Sequence, residues 1–293
     1  MRNTCVTLLN PVDDKRVLTL AKLATTAEAR GLDILLLGAF ARDLLFWYTH
    51  GIECSRETMD VDLVVQLKSW DAYHEFRAAL LCAGFIGEGK AHPEKLRDTA
   101  TGVEVDLLPF GEIAEDGQTV VWPEDNSRWS VVGIQDAYDH ALRFEIPDGK
   151  AIHIIRFISL PALVFLKIVA VHDRPEARFK KDTMDIGFVI RNYLQVGNKD
   201  RLMSYPHEDI YKDIGSDLDR ATARLLGRDM NAMMSVNTKK YVIDLLEKDV
   251  ASKSPCRFMQ GLQRSLCNGD FPRSRIIVRE ILSGLFWHPP DGT

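Results

Sequence analysis

The run TMDVDLVV (residues 58–65) sets Asp60 and Asp62 one residue apart inside a stretch that otherwise reads as a buried strand. Alternate strand residues share a face, so both carboxylates point the same way. Like charges side by side repel, and burying them unpaired is expensive. The chain must supply a counter-charge, and this stretch leaves two suppliers open. In one, Asp60 caps the strand and Asp62 pairs with a nearby arginine such as Arg56. In the other, a cation shared with further carboxylates neutralises the group.

A second apolar strand with an acidic interruption follows. In VEVDLLPF (103–110), Val103, Val105 and Leu107 fall on one face and Glu104, Asp106 and Leu108 on the other. If this strand lies beside that of Asp60 and Asp62, three carboxylates converge. A divalent cation with hard oxygen ligands, Mg²⁺ in the first instance, is the economical way to hold them. Two such ions about 4 Å apart can activate a hydroxyl and stabilise a leaving pyrophosphate.

These strands belong to a regular order. Residues 11–30 carry apolar positions at helical spacing, LDILLLG (32–38) reads as a buried strand, and AFARDLLFWYTHG follows as a helix closed by Gly51. Ser69 is placed to cap a helix that ends at Gly84. EKLRDTATGVEVDLLPFG reads as a hairpin turning near Thr101 and Gly102. From about Ser159 the texture becomes helical, up to Phe286. The expected fold is α+β: a lobe with a small mixed sheet and flanking helices over 1–158, then an all-helical lobe over 159–293.

Composition narrows the class. Of 293 residues, 46 % are hydrophobic and 27 % charged, ordinary for a globular protein. No apolar run is long enough for a membrane span, and the N-terminal stretch does not read as a secretory signal, so a cytoplasmic protein is expected. The five cysteines form no CxxC pair, which suggests neither a disulfide framework nor a thiolate zinc site. The net charge of −5 argues against an all-basic surface but leaves a local basic patch open.

Gly38 ends a strand and opens a helix, where backbone N–H groups can face a phosphate; a plain packing turn is the other reading. Arg42, one turn on, can reach a phosphate or pair with a carboxylate. Lys167 lies on the helix that begins near Leu160. RFKKDTMD places Arg178, Lys181, Asp182 and Asp185 on one helix, with Arg178–Asp182 and Lys181–Asp185 at i,i+4 spacing. A solvated face with ordinary ion pairs and a phosphate-binding face both fit that pattern. Arg97, on the hairpin strand before Asp106, is a further candidate for the same cleft. Trp122 and Trp129 are read as core packing or as a stacking platform.

LLLGAFARDLL, TMDVDLVV and VEVDLLPF together resemble the polymerase-β-like nucleotidyltransferase superfamily, whose pattern is Gly-Gly/Ser, then DxD/E, then a third acid on a neighbouring strand. SWDAYHEF, LPFG and SLPALVFLKIVAVHDR…ARFKKDTMDIGFVI extend the resemblance to AbiEii-type nucleotidyltransferases of abortive-infection and toxin–antitoxin systems, over roughly residues 30–195. The resemblance implies transfer of a nucleotide monophosphate from an NTP to an acceptor hydroxyl, with RNA, and a tRNA 3′ end in particular, as the favoured acceptor. It implies two Mg²⁺ ions, with Mn²⁺ as a substitute, held by Asp60, Asp62 and Asp106. It implies nucleotide contacts from Gly38, Ala39, Arg42, Lys167, Arg178, Lys181 and Asp182, and a cognate antitoxin as partner. Two departures stand out: Ala39 replaces the usual second Gly or Ser, and the interval from Gly38 to Asp60 is longer than in compact members. Two rivals are a small-molecule nucleotidyltransferase of the aminoglycoside-modifying kind and a catalytically silent module that binds RNA or protein.

Overall fold

The computed structural model describes residues 5–290 except 55–57, 59, 90, 91, 148, 150, 174, 175 and 255, with backbone alone at 176–178. Arg56 and the side chain of Arg178 therefore lie outside the described residues. The chain separates into two compact units, 1–159 and 160–293, each described by itself.

The N-terminal unit runs α1 (Asp14–Glu28), β1 (Ile34–Leu37), α2 (Gly38–Asp43) continuing into a π-helical turn (Leu44–Tyr48), β2 (Val61–Gln66), α3 (Trp70–Cys82), β3 (Phe85–Gly87), β4 (Lys95–Asp98) and β5 (Glu104–Phe110). It closes with β6 (Thr119–Val121), β7 (Arg128–Ser130), α4 (Ile134–Asp139), β8 (Leu142–Pro147) and β9 (Ile152–Phe157). Seven of these strands form one mixed sheet in the order β3-β4-β5-β2-β1-β9-β8, while β6 and β7 pair apart from it. This is the α+β architecture the sequence leads one to expect.

The central strand explains why TMDVDLVV reads as buried. β2 runs parallel to β5 and antiparallel to β1, and Val61, Leu63, Val64 and Val65 are all buried. A strand covered on both faces reads as a near-continuous apolar run, so its polar interruptions are the informative positions. α3 starts where Ser69 Oγ accepts from the Ala72 amide, and it buries Tyr73, Phe76 and Leu80 at helical spacing. The β4–β5 hairpin turns through Gly102, whose φ of 77° is open to glycine at little cost. At its base Asp98, wholly buried, takes the Lys22 ammonium at 2.7 Å and the Thr19 hydroxyl at 3.0 Å, tying α1 to the hairpin. Trp122 is wholly buried against Trp70, Tyr73 and Trp129, which assigns it to the core rather than to a stacking platform.

The C-terminal unit is helical: α5 (Leu160–Asp173), α6 (Glu176–Asn192), α7 (Glu208–Ile214), α8 (Leu218–Met233), α9 (Val236–Ala251), α10 (Arg257–Ser265) and α11 (Phe271–Leu285). α8 and α11 cross backbone to backbone at Gly227 and Gly284: a Cβ on Gly227 would stand 2.3 Å from the Ile281 carbonyl oxygen. Only glycine permits so close a crossing.

Candidate active site

The site is assembled by strand register. The Cα partner of Asp62 is Asp106 across the parallel β2–β5 pair and Leu37 across the antiparallel β1–β2 pair. Residues in register on neighbouring strands face the same way, with backbones about 4.8 Å apart. Asp62 and Asp106 therefore stand side by side on one face, both half-buried. Asp60 comes immediately before β2 and is exposed.

Gly38 follows Leu37, so the register brings it against Asp62. Its φ is 69°, and an added Cβ would lie 1.9 Å from Asp62 Oδ2 and 2.6 Å from Asp62 Cγ. The small residue thus does two things at once. It turns the chain from β1 into α2 through the left-handed region, and it leaves the space that the Asp62 carboxylate fills. Ala39 and Phe40 bury their side chains behind this turn, so only the backbone of Ala39 is on offer to a ligand.

Lys95 is the member that sequence reasoning missed. It is the β4 partner of Asp106, and its Nζ lies 2.9 Å from Asp106 Oδ1. Desolvation pulls the ammonium pKa down, but the hydrogen bond and charge of Asp106, aided by Glu94 and Glu104, outweigh it, and the net shift is upward. A signal for it existed: the Asp98–Val103 turn sets the hairpin register, and counting outward puts Lys95 opposite Asp106. Arg97 shares that strand face but bonds Glu88 at 2.8 Å and Glu104 at 3.1 Å.

Arg42 pairs with a carboxylate, that of its chain neighbour Asp43. It is buried, and its Nε donates to Asp43 Oδ1 at 2.8 Å.

A second charged cluster lies within the C-terminal unit. Lys167 is buried, with its Nζ 2.9 Å from Asp182 Oδ1 and 2.8 Å from Asp185 Oδ2. Burial disfavours the ammonium, yet the two carboxylates prevail and raise its pKa. Asp182 and Asp185 thus both turn to Lys167, where helical spacing had offered Arg178 and Lys181 as their partners. Lys181 is exposed.

Among the described residues no three His, Cys, Asp or Glu side chains are gathered as a ready metal site. The oxygen donors are nevertheless of the kind a hard divalent cation takes: two in-register carboxylates and a third just before the strand, with the Lys95 ammonium at present on Asp106. No helix among these residues is long and apolar enough to cross a membrane.

No family model and no curated protein matches the chain. Among solved structures, it is similar to the antibiotic-resistance factor ANT(2'')-Ia, at 16 % identity over 68 % of this chain and 98 % of that one, with a TM-score of 0.36. It is also similar to a tRNA-processing enzyme (13 % identity, 96 % of this chain, 62 % of that one, TM-score 0.30). A CCA-adding enzyme in complex with CTP is a further likeness (12 % identity, 94 % and 80 %, TM-score 0.27).

Proposed function

We propose that the N-terminal unit is the catalytic part of a nucleotidyltransferase that transfers a nucleotide monophosphate from an NTP to an acceptor hydroxyl. The observation that carries this reading is the register of Asp62 and Asp106, side by side on one sheet face with Gly38 cleared for the Asp62 carboxylate. Two half-buried like charges in register, with a glycine clearing space for one of them, are costly to keep for packing alone.

In the proposed reaction the acceptor oxygen attacks the α-phosphorus and the bond to the β-phosphate breaks, so that pyrophosphate leaves. Asp106 takes the hydroxyl proton, while the Gly38–Ala39 backbone at the start of α2 orients the triphosphate. Asp60, Asp62 and Asp106 would hold Mg²⁺, or Mn²⁺ in its place, which when bound supplies charge neutralisation at the phosphates. Within the C-terminal unit, Lys167 is an internal charge that Asp182 and Asp185 hold in place. As acceptor we favour RNA, and a tRNA 3′ end within that class. Membership of the AbiEii type, and with it a cognate antitoxin, belongs to this proposal too.

The test is incubation with each α-³²P-labelled NTP, Mg²⁺ and total RNA, beside an Asp60→Ala/Asp62→Ala control. Label in a tRNA-sized band, lost in the control, is the expected result. NTP binding without transfer to RNA would move the acceptor to a small molecule or a protein. One observation favours a second reading, the silent module: Asp106 is already occupied by Lys95. Absence of both binding and transfer would select it.

A further inference from the structure

Lys95 has no assigned part in the reaction above, yet it holds the one carboxylate expected to do the most. Its Nζ stands 2.9 Å from Asp106 Oδ1, both side chains are half-buried, and the contact is built by the β4–β5 register rather than by a chance surface encounter. Glu94 beside it is buried, and the backbone leading into Lys95 is pinned: the Leu107 amide donates to the Glu94 carbonyl at 2.9 Å, and the Tyr73 hydroxyl to the Pro93 carbonyl at 3.3 Å. Lys95 is thus delivered to Asp106 by a rigid strand.

An ammonium and a divalent cation compete for the same carboxylate oxygens, because each satisfies the same lone pairs and the same excess of negative charge. We propose that Lys95 is a built-in counter-ion of the metal site: it neutralises and aims Asp106 while the site is empty, and a divalent cation binds Asp106 only by displacing it. Lys95 is then a positioning residue that sets the metal affinity of the site. This inference rests on the nucleotidyltransferase reading. It differs from that reading in predicting that loss of a conspicuous positive charge improves metal binding rather than harming the site.

The control lies two residues away on the same strand face. Arg97 carries an equal charge but bonds Glu88 and Glu104, not Asp106. A general loss of positive potential would act through either residue; displacement at Asp106 acts through Lys95 alone.

The experiment is Mn²⁺ binding to the full chain, read by electron paramagnetic resonance and calorimetry, with the fold checked by circular dichroism. The proteins are wild type, Lys95→Met, Lys95→Gln, Lys95→Arg, Arg97→Met and Asp106→Asn. The expected result is a roughly two- to fivefold tighter Kd in Lys95→Met and Lys95→Gln, the range a half-exposed ion pair allows. Lys95→Arg and Arg97→Met should stay near wild type, and Asp106→Asn should weaken binding. Unchanged or weaker binding in Lys95→Met and Lys95→Gln, or an equal gain in Arg97→Met, would overturn the displacement while leaving the metal site standing. Absence of Mn²⁺ binding in every protein, wild type included, would overturn the metal site itself and this inference with it.

Discussion

Asp62 fills the space that a side chain on residue 38 would need: a Cβ built on Gly38 would stand 1.9 Å from Asp62 Oδ2. The two residues meet because Leu37 is in register with Asp62 and the chain leaves β1 through the left-handed region at Gly38. Gly38→Ala should therefore cost about 1 to 3 kcal/mol from backbone strain alone, and more from the collision. Removing the Asp62 carboxylate as well relieves the collision but not the strain. Unfolding free energies of Gly38→Ala, Asp62→Ala and the double variant should thus be less than additive. Additivity within error would refute the contact.

Asp62→Asn and Asp106→Asn keep shape and remove charge. If the pair serves phosphoryl chemistry, each should lower the rate of label transfer by about a hundred- to a thousandfold, with the melting temperature near that of wild type. A variant that keeps full transfer would remove its residue from the site.

Lys167 and Lys181 should separate cleanly by stability. Lys167→Met takes the buried ammonium away from Asp182 and Asp185, which should cost about 3 kcal/mol. Lys181 is exposed, and Lys181→Met should move stability by less than about 0.5 kcal/mol. Urea titrations of the full chain followed by far-ultraviolet circular dichroism compare the two. Equal midpoints would show that the Lys167 cluster contributes no stability.

His172 should make stability fall as pH rises. Its Nδ1 faces the Ile168 carbonyl at 2.8 Å and its Nε2 faces Asp249 Oδ2 at 2.9 Å, so both ring nitrogens meet acceptors. Burial opposes the charge, but Asp249 and the carbonyl outweigh it and raise the pKa above the ordinary 6.5. A raised folded-state pKa gives a contribution that is complete below the unfolded value and lost as pH climbs through the folded one. Stability measured from about pH 6 upward should decline in wild type and run flatter in His172→Gln. Parallel curves would exclude the imidazolium.

Much of the fold is legible in the chain because its signals are local. Ser69 caps α3 where a cap was expected, the hairpin turns at Gly102, and the apolar runs around Asp62 and Asp106 are strands. The charged partners were not legible in the same way. Arg42 goes to Asp43, and Asp182 and Asp185 go to Lys167 rather than serving only their own helix. Helical spacing reports which residues share a face; it does not report what another element brings to that face.

Alternation of apolar and acidic residues in TMDVDLVV and VEVDLLPF was enough to put Asp62 and Asp106 each on one strand face, since the pleat allows only two directions. Placing those faces side by side took the sheet order, because β2 and β5 are distant in sequence and pair through a parallel register that no local rule dictates. The same holds for the counter-charge of Asp106. The hairpin turn places Lys95 opposite Asp106, but long charged side chains choose partners by proximity and burial, and only the folded sheet shows Lys95 closing on that carboxylate while Arg97 goes to Glu88 and Glu104.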